Sequence, residues 1–134
     1  MLTNDLRQKL IHQAREARQR AYAPYSNYLV GAALVSRSGR FFTGANVENA
    51  AYPTSMCAER VAVFKAVSEG EREFIAIAVV TANGGSPCGA CRQVLAEFGL
   101  HITVLVADSD GRLLQESTLQ ELLPGAFGPG SLGK

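Results

Sequence analysis

The apolar positions of this chain follow two rhythms, and the changes of rhythm mark its elements. Residues 4–22 carry a helical stripe, Leu6, Leu10, Ala14 and Ala17, with Arg7, Lys9, Arg15, Glu16 and Arg18 on the other side. Pro24 ends that helix. Residues 28–36 read as a buried strand, Ser38-Gly39 as a turn, and residues 40–45 as the returning strand of a hairpin. Pro53-Thr54-Ser55 supply capping residues for a helix over 57–68, whose Val61, Ala62, Phe64, Lys65 and Ala66 give it a mostly buried character; Gly70 closes it. Residues 74–81 form a continuous β-rich apolar run, the pattern of a central strand covered on both faces. After the loop Asn83-Gly84-Gly85, Ser86 as N-cap and Pro87 as first helical residue open a third helix that stops at Gly99. Residues 102–107 read as another core strand and 112–115 as a short edge strand. Thr118 and Glu121 have capping-box spacing and begin a brief helix, which Pro124-Gly125 breaks. This order predicts an α/β fold: a mixed sheet of about five strands between helices.

Length and charge narrow the picture. A chain of 134 residues is most simply one domain, spanning 1–134, with enough surface to bury a core. Thirteen basic and 12 acidic residues leave a net charge of +1, which gives no footprint for nucleic acid or an anionic membrane. That balance favours a small, weakly charged ligand. The N-terminus has no apolar signal-peptide core, and the run Ile75 to Val80 is far too short to span a bilayer. A cytoplasmic location is the expectation.

All three cysteines lie in two short stretches, Cys57-Ala58-Glu59-Arg60 and Pro87-Cys88-Gly89-Ala90-Cys91-Arg92. Cys88 and Cys91, three apart, share a helix face. With Cys57 from another helix they define three corners of a tetrahedron for Zn²⁺, and an open fourth position marks a catalytic rather than a structural zinc. Glu59 is then placed to handle a proton there. A structural zinc knot would want a fourth ligand, and neither His12 nor His101 has ligand-like spacing. A redox CxxC would leave Cys57 and Glu59 unexplained. Three thiolates leave a zinc centre anionic, so Arg60 is a candidate to draw charge from sulfur, helped by two helix N-termini; otherwise it is a surface arginine. Asn46 and Glu48 share one side of an extended segment and suit sugar hydroxyls. Spacing alone fits a turn asparagine and a solvated glutamate better. Tyr28, in a loop with three tyrosines, serves either aromatic packing or a binding pocket.

The chain also resembles the small, homotetrameric, zinc-dependent cytidine deaminases. The resemblance rests on the cysteine motifs and on Ala21-Tyr22-Ala23-Pro24-Tyr25-Ser26, Val30-Gly31-Ala32-Ala33, Gly44-Ala45-Asn46-Val47-Glu48-Asn49-Ala50-Ala51-Tyr52 and Leu122-Leu123-Pro124-Gly125-Ala126-Phe127, in order over nearly the whole chain. Pro53-Thr54-Ser55-Met56 departs from the commoner pattern and puts only loop shape in doubt. The resemblance implies a three-layer α/β/α fold with one zinc per subunit on Cys57, Cys88 and Cys91. It implies Glu59 as proton shuttle and Arg60 beside the ligands. Asn46 and Glu48 would bind ribose, with Val47, Tyr28 and Ala58 also at the substrate. Phe127, which has few neighbours in sequence to bury it, would reach a neighbouring subunit's pocket. The implied reaction is hydrolysis of cytidine, and of 2′-deoxycytidine, to uridine and deoxyuridine plus ammonia, in pyrimidine salvage. The alternatives are a deaminase of a cytosine-containing antibiotic or a related base, a nucleic-acid editor, which the charge disfavours, and a nucleoside-sequestering protein, which Glu59 argues against.

Overall fold

The computed structural model describes residues 2–134. Helix α1 (Asn4–Arg18) begins at Thr3, whose hydroxyl accepts from the Leu6 N–H at 3.1 Å. Strands β1 (Gly31–Ser36) and β2 (Phe41–Ala45) form the hairpin. Helix α2 (Ala58–Ser68), β3 (Phe74–Val80), α3 (Gly89–Phe98), β4 (Thr103–Ala107), β5 (Leu113–Thr118) and α4 (Leu119–Leu122) follow.

The sheet runs in the order β2-β1-β3-β4-β5, and only the central pair β3 and β4 is parallel. Strand periodicity divides the core between its two faces. Ala33, Val35, Ala76, Ala78, Val80 and Leu105 point to α1 and pack on Leu10, Ile11 and Ala14. Ala32, Leu34, Ile77, Val104 and Val106 point the other way, to Ala62, Val63 and Ala66 of α2 and Leu95 of α3. The result is the predicted α/β/α arrangement. β3 is buried on both faces, which is why its sequence shows no alternation.

Two glycines bring backbones into direct contact. A Cβ on Gly31 would lie 2.0 Å from the Ala14 carbonyl oxygen, and one on Gly44 would lie 2.5 Å from that of Ala58. The second approach seats the first turn of α2 against β2 and so fixes where Cys57 and Glu59 begin.

Several element ends differ from the sequence reading. α1 stops at Arg18, residues 19–21 continue through turn bonds, and Tyr22 bridges to Val47 instead. The first strand begins at Gly31, because the N–H groups of Tyr28 and Val30 donate to the side chains of Ser26 and Asn46 rather than to a strand backbone. Residues 52–54 form a separate 3-10 turn, so Cys57, not Ser55, is the N-cap of α2. Cys88, rather than Ser86, caps α3. Phe64 is exposed, on the outer side of α2. β5 runs to Thr118, longer than predicted, and the Thr118–Glu121 capping box forms as expected. Among the described residues no helix is long and apolar enough to cross a membrane.

Candidate active site

The two cysteine-bearing helices start side by side at one edge of the core. Cys57 and Cys88 are the N-caps of α2 and α3, both in extended conformation and neither spending its side chain on a cap bond. Cys91 lies in the first turn of α3 and is fully buried. The three sulfur atoms lie within 4.8 Å of one another, with Cys57 and Cys88 3.8 Å apart and Cys88 and Cys91 3.5 Å apart. Tetrahedral ligands with bonds of about 2.3 Å place sulfurs about 3.8 Å apart, so spacing and soft donor set both fit zinc. Among the described residues this is the one cluster of three His, Cys, Asp or Glu side chains suited to a metal.

Charge around the sulfurs is shared. Cys91 and Arg60 donate to the Cys57 sulfur, Arg60 Nη2 at 3.3 Å, and Cys57 is pulled down to about 5. Cys91 is pushed the other way, by its bond to Cys57 and by burial. A divalent cation bound by the three sulfurs would displace the protons they carry. The N-termini of α2 and α3 add partial positive charge at the same place. Arg60 therefore faces a thiolate rather than solvent; its Nε is buried and unpartnered among the described residues.

Glu59 is 4% exposed, and burial pushes its carboxyl up to about 7. It lines a cavity of about 540 Å³ together with Cys57, Cys88, Tyr28, Asn46 and Glu48. Asn46 and Glu48 come from an extended segment pinned on both sides. The Val47 backbone pairs with Met56, and Tyr22 pairs with Asn46 and Glu48. This links the segment to the residue just before Cys57.

Much of the rim's polarity is spent internally. The Asn46 amide accepts from the Val30 N–H and donates to the Tyr28 carbonyl, each at 2.9 Å. Glu48 accepts from the N–H groups of Tyr25 and Ser26 and from the Ser26 hydroxyl. Those bonds, the hydroxyl first, hold its carboxyl below the usual range. An amide has two donors and two lone pairs, and a carboxylate about four acceptor sites. Each side chain therefore keeps capacity for a further partner.

Not every expected residue reaches the cavity. Val47 is half exposed and is held through its backbone, while Ala58 is fully buried. Ala58 has only its N–H to offer, at the first position of α2 where no intrahelical partner exists. Phe127 is 59% exposed and lies on a different crevice, beside Ala96 and Phe98. Ser26 and Thr81 line the cavity without having been expected. Thr81 was hidden at the end of an apolar run, and Ser26 among the tyrosines of its loop.

The chain is similar to known proteins in sequence and in fold. Residues 4–107 match the family model for the cytidine and deoxycytidylate deaminase zinc-binding region. The chain belongs to the cytidine and deoxycytidylate deaminase family. It is 50% identical over 127 residues to a cytidine deaminase of Sporosarcina psychrophila, covering 90% of each chain. It is 52% identical over 123 residues to that of Halalkalibacterium halodurans, covering 90% of this chain and 93% of the relative. The crystal structure of cytidine deaminase from Burkholderia pseudomallei superposes with a TM-score of 0.86 at 46% identity, covering 94% of this chain and all of the other. That coverage is wider than the region the family model matches, so the shared fold extends past residue 107.

Proposed function

We propose that this chain is a zinc-dependent cytidine deaminase that hydrolyses cytidine and 2′-deoxycytidine to uridine and deoxyuridine, with release of ammonia, as a cytoplasmic enzyme of pyrimidine salvage. The observation that carries the reading is the buried carboxyl of Glu59 on the same cavity as Cys57 and Cys88. In this reading Cys57, Cys88 and Cys91 hold the zinc. Zinc, when bound, supplies the Lewis acidity that makes water nucleophilic near neutral pH.

The chain's own residues do the rest. Glu59 takes a proton from the attacking water and passes it to N3, then takes the second proton from the hydroxyl so added at C4 and passes it to the 4-amino group, which leaves as ammonia as the C4–N bond breaks and the C4 carbonyl forms. Burial pushes that carboxyl upward, toward the range in which one group can both take and give a proton. Arg60 draws charge from the Cys57 sulfur. Asn46 and Glu48 use their remaining hydrogen-bonding capacity on the sugar. Tyr28 forms a wall for the base, and the Ala58 N–H faces the substrate.

The cavity favours a nucleoside over a nucleotide. Arg60 is the one cation among its lining residues, and it is already bonded to Cys57. Glu48, held ionised, would repel a phosphate nearby. Ultraviolet assays with cytidine, 2′-deoxycytidine, deoxycytidylate, adenosine, guanine and a blasticidin-type nucleoside test this. Turnover of the two cytosine nucleosides is expected; preference for deoxycytidylate or for the antibiotic overturns the substrate assignment.

We further propose a homotetramer whose sites are shared. Phe127, Tyr52 and Leu132 are 59%, 70% and 68% exposed, and a phenyl ring gains roughly 1.5–3 kcal/mol on burial. Phe127 of one subunit would complete a neighbour's pocket. Sedimentation at assay concentration should show four chains per particle; a fully active monomer refutes shared sites.

A further inference from the structure

Arg92 follows Cys91 on α3, and its guanidinium reaches three separate acceptors. Nε donates to the Pro87 carbonyl at 2.7 Å, Nη2 to the Ser86 hydroxyl at 2.8 Å, and Nη1 to the Leu122 carbonyl at 2.7 Å. The Pro87 carbonyl belongs to the peptide that ends at the Cys88 nitrogen. Peptides are planar, so holding that oxygen sets the plane from which Cys88 departs. Leu122 ends α4, where helix geometry leaves carbonyls without intrahelical donors. The next residue, Gln93, donates to the Phe127 carbonyl at 2.8 Å.

The three sulfurs are not equally secured. Cys91 is buried in a helical turn, and Cys57 receives Arg60. Cys88 is exposed and caps α3 without a side-chain cap bond. Its direction depends on the loop before it, and Arg92 holds that loop at two points.

We propose that Arg92 is a positioning residue that sets the Cys88 sulfur and ties it to the C-terminal segment bearing Phe127. The proposal rests on reading Cys57, Cys88 and Cys91 as zinc ligands. A lysine cannot replace it, because one ammonium lacks the rigid planar fork that serves three acceptors in different directions. The competing account is a surface staple between α3 and α4 that adds stability alone.

The test loads wild type, Arg92→Ala, Arg92→Lys and Gln93→Ala with zinc and titrates each against a chromogenic chelator. Circular dichroism and thermal unfolding report the fold, and kcat and KM are measured separately. Arg92→Ala should stay folded and bind zinc ~10–100-fold more weakly, the usual cost of losing a residue that orients a ligand. Millimolar methylguanidinium should restore its affinity, and methylammonium should not. Gln93→Ala, which touches only the C-terminal segment, should keep wild-type zinc affinity. A folded Arg92→Ala with wild-type affinity overturns the proposal, as does equal rescue by methylammonium. If Arg92→Ala does not fold, Arg92→Lys decides: weakened zinc binding supports the positioning role, and wild-type binding overturns it. The chelator titration uses no nucleoside, so its result is independent of the substrate assignment.

Discussion

Glu59 and Glu48 line one cavity, yet their surroundings move them in opposite directions. Glu59 sits in the buried first turn of α2, and burial raises its carboxyl to about 7. Glu48 sits half-buried on an extended segment, and bonds from Ser26 and Tyr25 lower its carboxyl. The contrast extends to their neighbours. The metal half is placed by helices packed on a sheet, with Cys91 and Ala58 fully buried. The rim, with Asn46 and Glu48, is placed by side-chain bonds that cross from one loop to another. The same residue type can therefore carry a proton in one half and stay ionised in the other. Changes in the metal half should strike the chemical step, and changes at the rim should strike recognition.

The largest effect is expected from the ligands. Cys91→Ala should lose zinc and activity together, as should Cys57→Ala and Cys88→Ala. Metal analysis beside a turnover assay checks this, and full zinc content after any one change removes that residue from the ligand set. Glu59→Gln comes next. It should keep fold and zinc while turnover falls ~10²–10⁴-fold, the usual loss for a general acid/base. Normal turnover in that variant would end the distinction between the two carboxylates.

At the rim the effects should be smaller and appear in kcat/KM. Asn46→Ala or Glu48→Ala should cost roughly 1–3 kcal/mol of transition-state binding to cytidine, because a paired hydroxyl loses its partner. Asn46→Ala should also lower thermal stability, since its amide ties Val30 to Tyr28. Wild-type kcat/KM in both variants would remove the ribose assignment.

The smallest effect is a pH dependence of stability. Glu48's folded pKa lies below its ordinary value of 4.5, so its contribution is present above that value. It is lost as pH falls through the folded pKa, because the unfolded chain then binds the proton first. Glu48→Gln should flatten that part of the acid-unfolding profile, and Ser26→Ala should do so in part. An unchanged profile for Glu48→Gln would show that the Ser26 bonds do not stabilise the fold.

The parts legible in sequence were those with a strong local pattern. β1, β3 and β4 are short apolar runs, legible as buried strands. The clustering of the cysteines was legible because motif spacing places them at helix starts. The caps themselves were misplaced. Ser and Pro carry the usual start signals, whereas here a cysteine occupies each N-cap. Arg92 bonds to Leu122, 30 positions away, and Ser26 to Glu48, 22 positions away. Such pairings depend on tertiary approach and leave no periodic trace. Asn46 illustrates the limit: sequence placed it beside Glu48, but only the fold shows how much of its amide is already spent.

The most direct test combines the reaction and the metal in one sample. Purified protein is given cytidine, the absorbance change to uridine is followed, released ammonia is counted, and zinc per chain is measured before and after chelation. The account predicts one zinc per chain, one ammonia per uridine, loss of turnover when zinc is removed, and its return when zinc is restored. A protein carrying its full zinc that leaves cytidine unchanged would contradict it.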